Sequence, residues 1–123
     1  MRTAFAALCL AIILSGTLPA QEIEFVGSYN TPGNAYHVFV SGSYAYVADD
    51  TSGLQIVLIN DPAHPSRVGS HDTPSNARGG VFVSGPYAYL TDMEAGLQII
   101  NIGDPINPSL VGNYFMSDYA LGL

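Results

Sequence analysis

Forty-three residues after Val38-Phe39-Val40-Ser41-Gly42 the same five letters return as Val81-Phe82-Val83-Ser84-Gly85. Tyr44-Ala45-Tyr46 returns as Tyr87-Ala88-Tyr89 and Gly53-Leu54-Gln55-Ile56 as Gly96-Leu97-Gln98-Ile99, at the same offset. Between Val38–Gly69 and Val81–Gly112, 20 of 32 positions are identical. A chain written this way folds as like units stacked on one another, because one unit of this length cannot bury its apolar surface alone. Upstream, Gly27 matches Gly69 at an offset of 42, which places a one-residue insertion around Arg78-Gly79-Gly80. The units run from about 27 to 68 and from about 69 to 111, and a truncated third runs from 112 to 123.

Within each unit the local signals are all β. Glu22–Tyr29, Tyr36–Ser41, Tyr44–Asp49 and Leu54–Ile59 are short runs rich in Val, Ile, Tyr and Phe, bounded by Gly, Pro, Asn or Asp, and are expected as strands. Ser41-Gly42-Ser43 and Ser84-Gly85-Pro86 predict tight hairpin turns, and Asp49–Gly53 and Asp92–Gly96 longer ones. Asp61-Pro62 and Pro65, with their copies Asp104-Pro105 and Pro108, break the ladder and carry the chain to an outer strand at Arg67–Asp72. Leu54–Ile59 is almost continuously apolar, as expected of a strand covered on both faces. Four strands in roughly 43 residues, with neighbours covering both faces, describe a β-propeller blade. The fold class is therefore all-β, with four-stranded antiparallel blades, about two complete and the start of a third. The absence of Trp removes the WD40 subtype.

Charge and composition narrow the partners. Only 11% of residues are charged, no Lys is present, and the formal net charge is −7. Nothing in such a chain neutralises a phosphate backbone or an anionic headgroup, which excludes nucleic acid as a direct partner. The first twenty residues read as a secretory signal peptide: Arg2, the apolar run Ala4–Leu14, and a small-residue exit with cleavage after Ala20. The run is well short of the ~20 residues a spanning helix needs, so no stable membrane insertion is expected once it is removed. Removal leaves two arginines, Arg67 and Arg78, against ten carboxylates, a formal −8, and takes away Cys9. The mature domain holds itself together by burial, without disulfides. The expected address is secreted, periplasmic or at the cell surface.

The Gly-[Ser/Asn]-[Tyr/His] openings at Gly27, Gly69 and Gly112, the Val-x-Val-Ser-Gly-x-Tyr-Ala-Tyr core and the Gly-Leu-Gln-Ile block ending in Asp-Pro-x-x-Pro resemble the LVIVD repeats of bacterial and archaeal exported and surface proteins. The resemblance covers nearly all of residues 27–123. It departs from the family in the namesake stretch, where Leu58 and Asn101 stand in place of an Asp. It implies a propeller and an exported location, and no common activity.

The carboxylates Asp49 and Asp92 occupy the same repeat position, with Asp50 and Glu94 just beyond, and oxygen ligands in hairpin loops are what calcium requires. Capping of the loop backbone is the preferred reading, because Asp does this in most turns. Asp61 and Asp104, each followed by Pro, read as rigid crossovers, and Tyr44/Tyr46 and Tyr87/Tyr89 as packing between sheets rather than a platform for sugar rings. His37, His64 and His71 have no metal-ligand spacing and no histidine at the aligned positions. No nucleophile elbow, mature Cys or Lys supports covalent catalysis, so no catalytic residue, cofactor or dedicated metal ligand is assigned.

The mature chain holds about 2.4 units, whereas closed propellers use roughly four to eight. Leu123 aligns with Gly80, one residue before the next expected strand. An open stack leaves a bare sheet face at each end, so the expected partners are further blades of the same protein, the chain being a fragment of a longer one, or other copies of itself. In the second case the strand near Ile23–Tyr29 completes a neighbour's last blade. The expected function is a non-catalytic exported repeat module for interaction with an extracellular protein or glycan ligand. The alternatives are part of a propeller enzyme with its catalytic residues in further blades, and a sugar-binding oligomeric propeller.

Overall fold

A computed structural model describes residues 21–118. The signal peptide with its Ala20 cleavage site, and the end of the third unit from 119 to 123, lie outside the described residues. Eight strands form two four-stranded antiparallel sheets in simple up-and-down order. The first contains β1 (His37–Ser41), β2 (Tyr44–Ala48), β3 (Leu54–Leu58) and β4 (Ser66–His71). The second contains β5 (Gly80–Ser84), β6 (Tyr87–Asp92), β7 (Gly96–Asn101) and β8 (Ser109–Tyr114). Among the described residues there is no helix. The two sheets have the form of two propeller blades. Their limits do not coincide with units cut at Gly27, Gly69 and Gly112, since the openings at Gly69 and Gly112 complete the sheet before them.

The turns form for the reasons the letters suggest. Gly42 and Gly85 take φ of 59° and 55° at the first position of a two-residue hairpin, a conformation that L side chains avoid. Gln55 and Gln98 are buried in strands yet satisfied: each Nε2 donates to a carbonyl of the preceding loop, Ser52 at 2.7 Å and Ala95 at 3.0 Å. A register shift at Ile56/Val57 recurs at Ile99/Ile100, so both fourth strands carry the same bulge.

The register separates each sheet into two faces. Phe39, Tyr46 and Ile56 lie in line on the back of the first sheet, while Val40, Ala45 and Val57 lie on its front. In the second sheet Phe82, Tyr89 and Ile99 form the back, and Val83, Ala88 and Ile100 the front. The core sits where the back of the first sheet meets the front of the second, joining Tyr46, Leu54 and Ile56 to Leu90 and Ile100. The outer faces are open. Val38 and Val40 are 61% and 57% exposed, whereas their counterparts Val81 and Val83 are each 8% exposed. Strand β3 is buried along most of its length, on its back by the second sheet and on its front by the segment Gly27–Thr31 and the Pro62 and Pro65 crossover, whereas β7 alternates because only its front is covered.

One expected strand is corrected. Glu22–Tyr29 lies outside both sheets, because no described strand stands where its hydrogen-bonding neighbour would be. Its counterparts at Ser66 and Ser109 start the fourth strands β4 and β8, which pair with β3 and β7.

Candidate functional site

The carboxylates singled out from the sequence gather at the ends of β2 and β6, where each sheet receives the segment leading into its first strand. Asp49 accepts from Thr31 Oγ1 at 2.6 Å and from the Gly33 N–H at 2.9 Å. Asp92 accepts from Thr73 Oγ1 and the Ser75 N–H, both at 3.0 Å. Both residues are fully buried. Burial pushes the Asp92 carboxyl above its usual range, against the pull of its two donors. Each Asp thus fastens the incoming linker to its sheet. The four acceptor oxygens face protein donors, and among the described residues no group of three or more His, Cys, Asp or Glu side chains is placed to hold a metal ion.

Asp50 plays a different part. Its backbone takes φ of 51° and forms an isolated antiparallel bridge with Ala77, joining the first sheet to the linker of the second. Arg78 reaches Asp50 through Nε at 2.8 Å and Nη2 at 3.1 Å, and Asn76 Nδ2 donates at 2.7 Å. The guanidinium also lies 5.2 Å from the Tyr36 ring centre. These donors hold the Asp50 carboxyl at about 2, below its ordinary 3.8, with the Arg78 bond the largest cause. The pair clamps the two sheets at one point. Its equivalent in the next unit is absent, since Met93 stands in place of Asp50.

A folded pKa below the unfolded one means that the clamp acts fully above pH 3.8 and is lost as pH falls toward about 2. Asp92, shifted the other way, changes its contribution above 3.8, so the lower window belongs to Asp50. Asp50→Asn keeps a residue that tolerates the left-handed backbone and removes the charge. Urea midpoints measured down through this window are expected to fall less steeply in Asp50→Asn than in the wild type. Parallel falls would show that the clamp carries no stability.

The remaining candidates are placed apart from this cluster. Asp61 and Asp104 close exposed turns, accepting from the Ala63 and Ile106 N–H groups, and His64 Nδ1 meets Asp61 at 3.0 Å. Tyr46 is buried in the core with Tyr44 beside it, their ring centres 6.4 Å apart, whereas Tyr87 is exposed on the uncovered end. Glu94 lines a cavity with Phe115 and Asp118. His37 and His71 sit on β1 and β4, the two opposite edges of the first sheet. Sequence reasoning missed Thr31, Thr73, Asn76 and Arg78. The signal was present in Thr31-Pro32-Gly33-Asn34-Ala35 and Thr73-Pro74-Ser75-Asn76-Ala77, a repeat at an offset of 42 that marks the linkers as partners of the repeated Asp.

Among the described residues the geometry offers no convergent reactive groups and two open apolar faces. A front cavity of about 390 Å³ is walled by Ala45, Val47, Val57 and Ile59 on the first sheet and by Gly27 and Tyr29 on the segment before it. Among known proteins, a family model described as LVIVD repeat matches residues 32–73 and 77–115. No curated protein and no solved structure matches the chain.

Proposed function

Because the chain belongs to the LVIVD repeat family, we propose that it is a non-catalytic interaction module, exported from the cytoplasm, that associates through its end faces with repeat units of its own kind. The observation carrying this reading is the contrast between equivalent valines. Val81 and Val83 are covered by the neighbouring sheet, and Val38 and Val40 present the same letters in the same register to solvent. The back of the second sheet offers the complement: Tyr87 is 37% exposed there, and Phe82, which meets Phe39 edge-on at 4.9 Å, leaves 49% of its surface exposed. A heterologous contact of this kind propagates head to tail into rings or open chains. The satisfied carboxylates support a structural rather than a catalytic use of the buried acids. Export is supported by Arg2 and the Ala4–Leu14 run.

Light scattering of the chain from Gln21 onward tests the reading. Species larger than a monomer are expected at high protein concentration, and Val38→Asp combined with Val40→Asp shifts them to monomer while the circular dichroism spectrum is unchanged. A wild-type chain that is monomeric at every concentration overturns it.

A further inference from the structure

The segment Glu24–Tyr29 reads Glu-Phe-Val-Gly-Ser-Tyr, β4 reads Ser-Arg-Val-Gly-Ser-His and β8 reads Ser-Leu-Val-Gly-Asn-Tyr. The second and third of these are fourth strands of sheets. The first has no strand neighbour among the described residues, and Phe25 and Val26 stand 80% and 59% exposed. Its position is nevertheless that of a fourth strand. Gly69 of β4 lies flush against the crossover of the second sheet, where an added Cβ would overlap the Pro105 carbonyl oxygen. Gly27 lies flush against the crossover of the first sheet, where an added Cβ would overlap the Pro62 carbonyl oxygen. The segment therefore stands to the first sheet as β4 stands to the second. What is missing beside it is three strands, and the front cavity marks their place. At the internal contact, the residues equivalent to its Val47 and Val57 walls, Leu90 and Ile100, share a core with Tyr46 and Ile56 of the preceding sheet.

We propose that Glu24–Tyr29 is an unpaired fourth strand that binds, by β-strand addition, a three-stranded antiparallel sheet of this same repeat type whose third strand has a free outer edge. The backbone ladder provides affinity, and the Tyr and Ile side chains of the incoming second and third strands fill the front cavity. The register follows from the two pairings already formed. Ile56 faces Gly69 and Ile99 faces Gly112, so the incoming third strand sets that Ile opposite Gly27 and its Gln opposite Ser28. Glu22 and Glu24 place charge on the waiting edge, a feature that discourages indiscriminate strand pairing. An intact second copy already carries β8 in the fourth-strand place, so its docking displaces one of two equivalent strands. A sheet with a free third-strand edge displaces neither. The proposal rests on the reading of the chain as a module that associates with its own repeat type.

The test uses two chains from Gln21 onward, which contain no natural cysteine. One carries Ser28→Cys. The other carries Gln98→Cys with Gly112→Pro and Tyr114→Pro, which remove from β8 the donors that face Ile99 and Leu97 and free the edge of β7. Under mild oxidation a disulfide is expected to join the thiols introduced by Ser28→Cys and Gln98→Cys. Its yield is expected to be about ten times that obtained with Tyr29→Cys in place of Ser28→Cys, because directly opposed residues lie ~4.5–5.5 Å apart at Cβ. Equal yields, or no disulfide, overturn the proposal. Should the proline chain not fold, a chain in which Ser109–Tyr114 is replaced by Glu-Phe-Val-Gly-Ser-Tyr decides: cooperative unfolding within a few degrees of wild type supports the segment as a fourth strand, and its loss overturns it. Association seen by light scattering without the in-register disulfide would leave the functional reading standing and remove this one.

Discussion

Gly69→Ala is expected to lower stability by about 2–3 kcal/mol, while Gly112→Ala, at the equivalent position of the next unit, leaves it almost unchanged. The two glycines share a place in the bulged fourth strand, each facing an Ile of the third strand. Their surroundings differ. A methyl group on Gly69 would meet the backbone of the Pro105 crossover and, at 3.3 Å, the Pro108 ring. Neither is the free end of a flexible side chain, so the sheets have to move apart, and the core between them is what such a movement opens. At Gly112 the nearest atom is Ile99 Cδ1 at 4.0 Å, an ordinary contact. Urea denaturation of the two variants beside the wild type reads the difference directly. Equal effects would mean that the glycine serves strand geometry rather than the contact between sheets.

Leu90→Ala carries the larger expected loss, about 3 kcal/mol. Leu90 is fully buried on the front of the second sheet, within the cluster that joins the two sheets. Its truncation removes apolar burial and leaves a hole between two rigid ladders that have little freedom to close it. Against the ~5–15 kcal/mol typical of a whole domain, this is a substantial share. Val40→Ala, on the open front of the first sheet, is expected to cost no more than ~0.5 kcal/mol, the ordinary scale for a solvent-facing change. A Leu90→Ala loss no greater than that of Val40→Ala would show that the sheets are not energetically joined.

The strands, the two-residue turns and the Pro crossovers were legible from local letters, because they depend on backbone preference and on the alternation of side chains along a strand. The repeated Asp at 49 and 92 was visible as a repeat, but the hydrogen bonds its side chain accepts do not come from the hairpin loop it was expected to cap. The donors come from the linker sixteen or seventeen residues earlier rather than from the hairpin that follows. The Asp50–Arg78 clamp was not legible at all. It spans 28 residues and occurs in one unit, so neither spacing nor repetition pointed to it.

The letters alone dictate that this chain makes antiparallel four-stranded units in series, and where each one turns. Packing between the sheets decided which of two identical residues is buried. Val38 and Val81 are the same letter in the same register, yet one is exposed and the other covered, because burial belongs to the sheet across the gap and not to the strand that bears the residue. The same reason separates Glu24–Tyr29 from β4 and β8. All three carry one pattern, and a strand becomes a strand only when a neighbour supplies the other half of its hydrogen bonds.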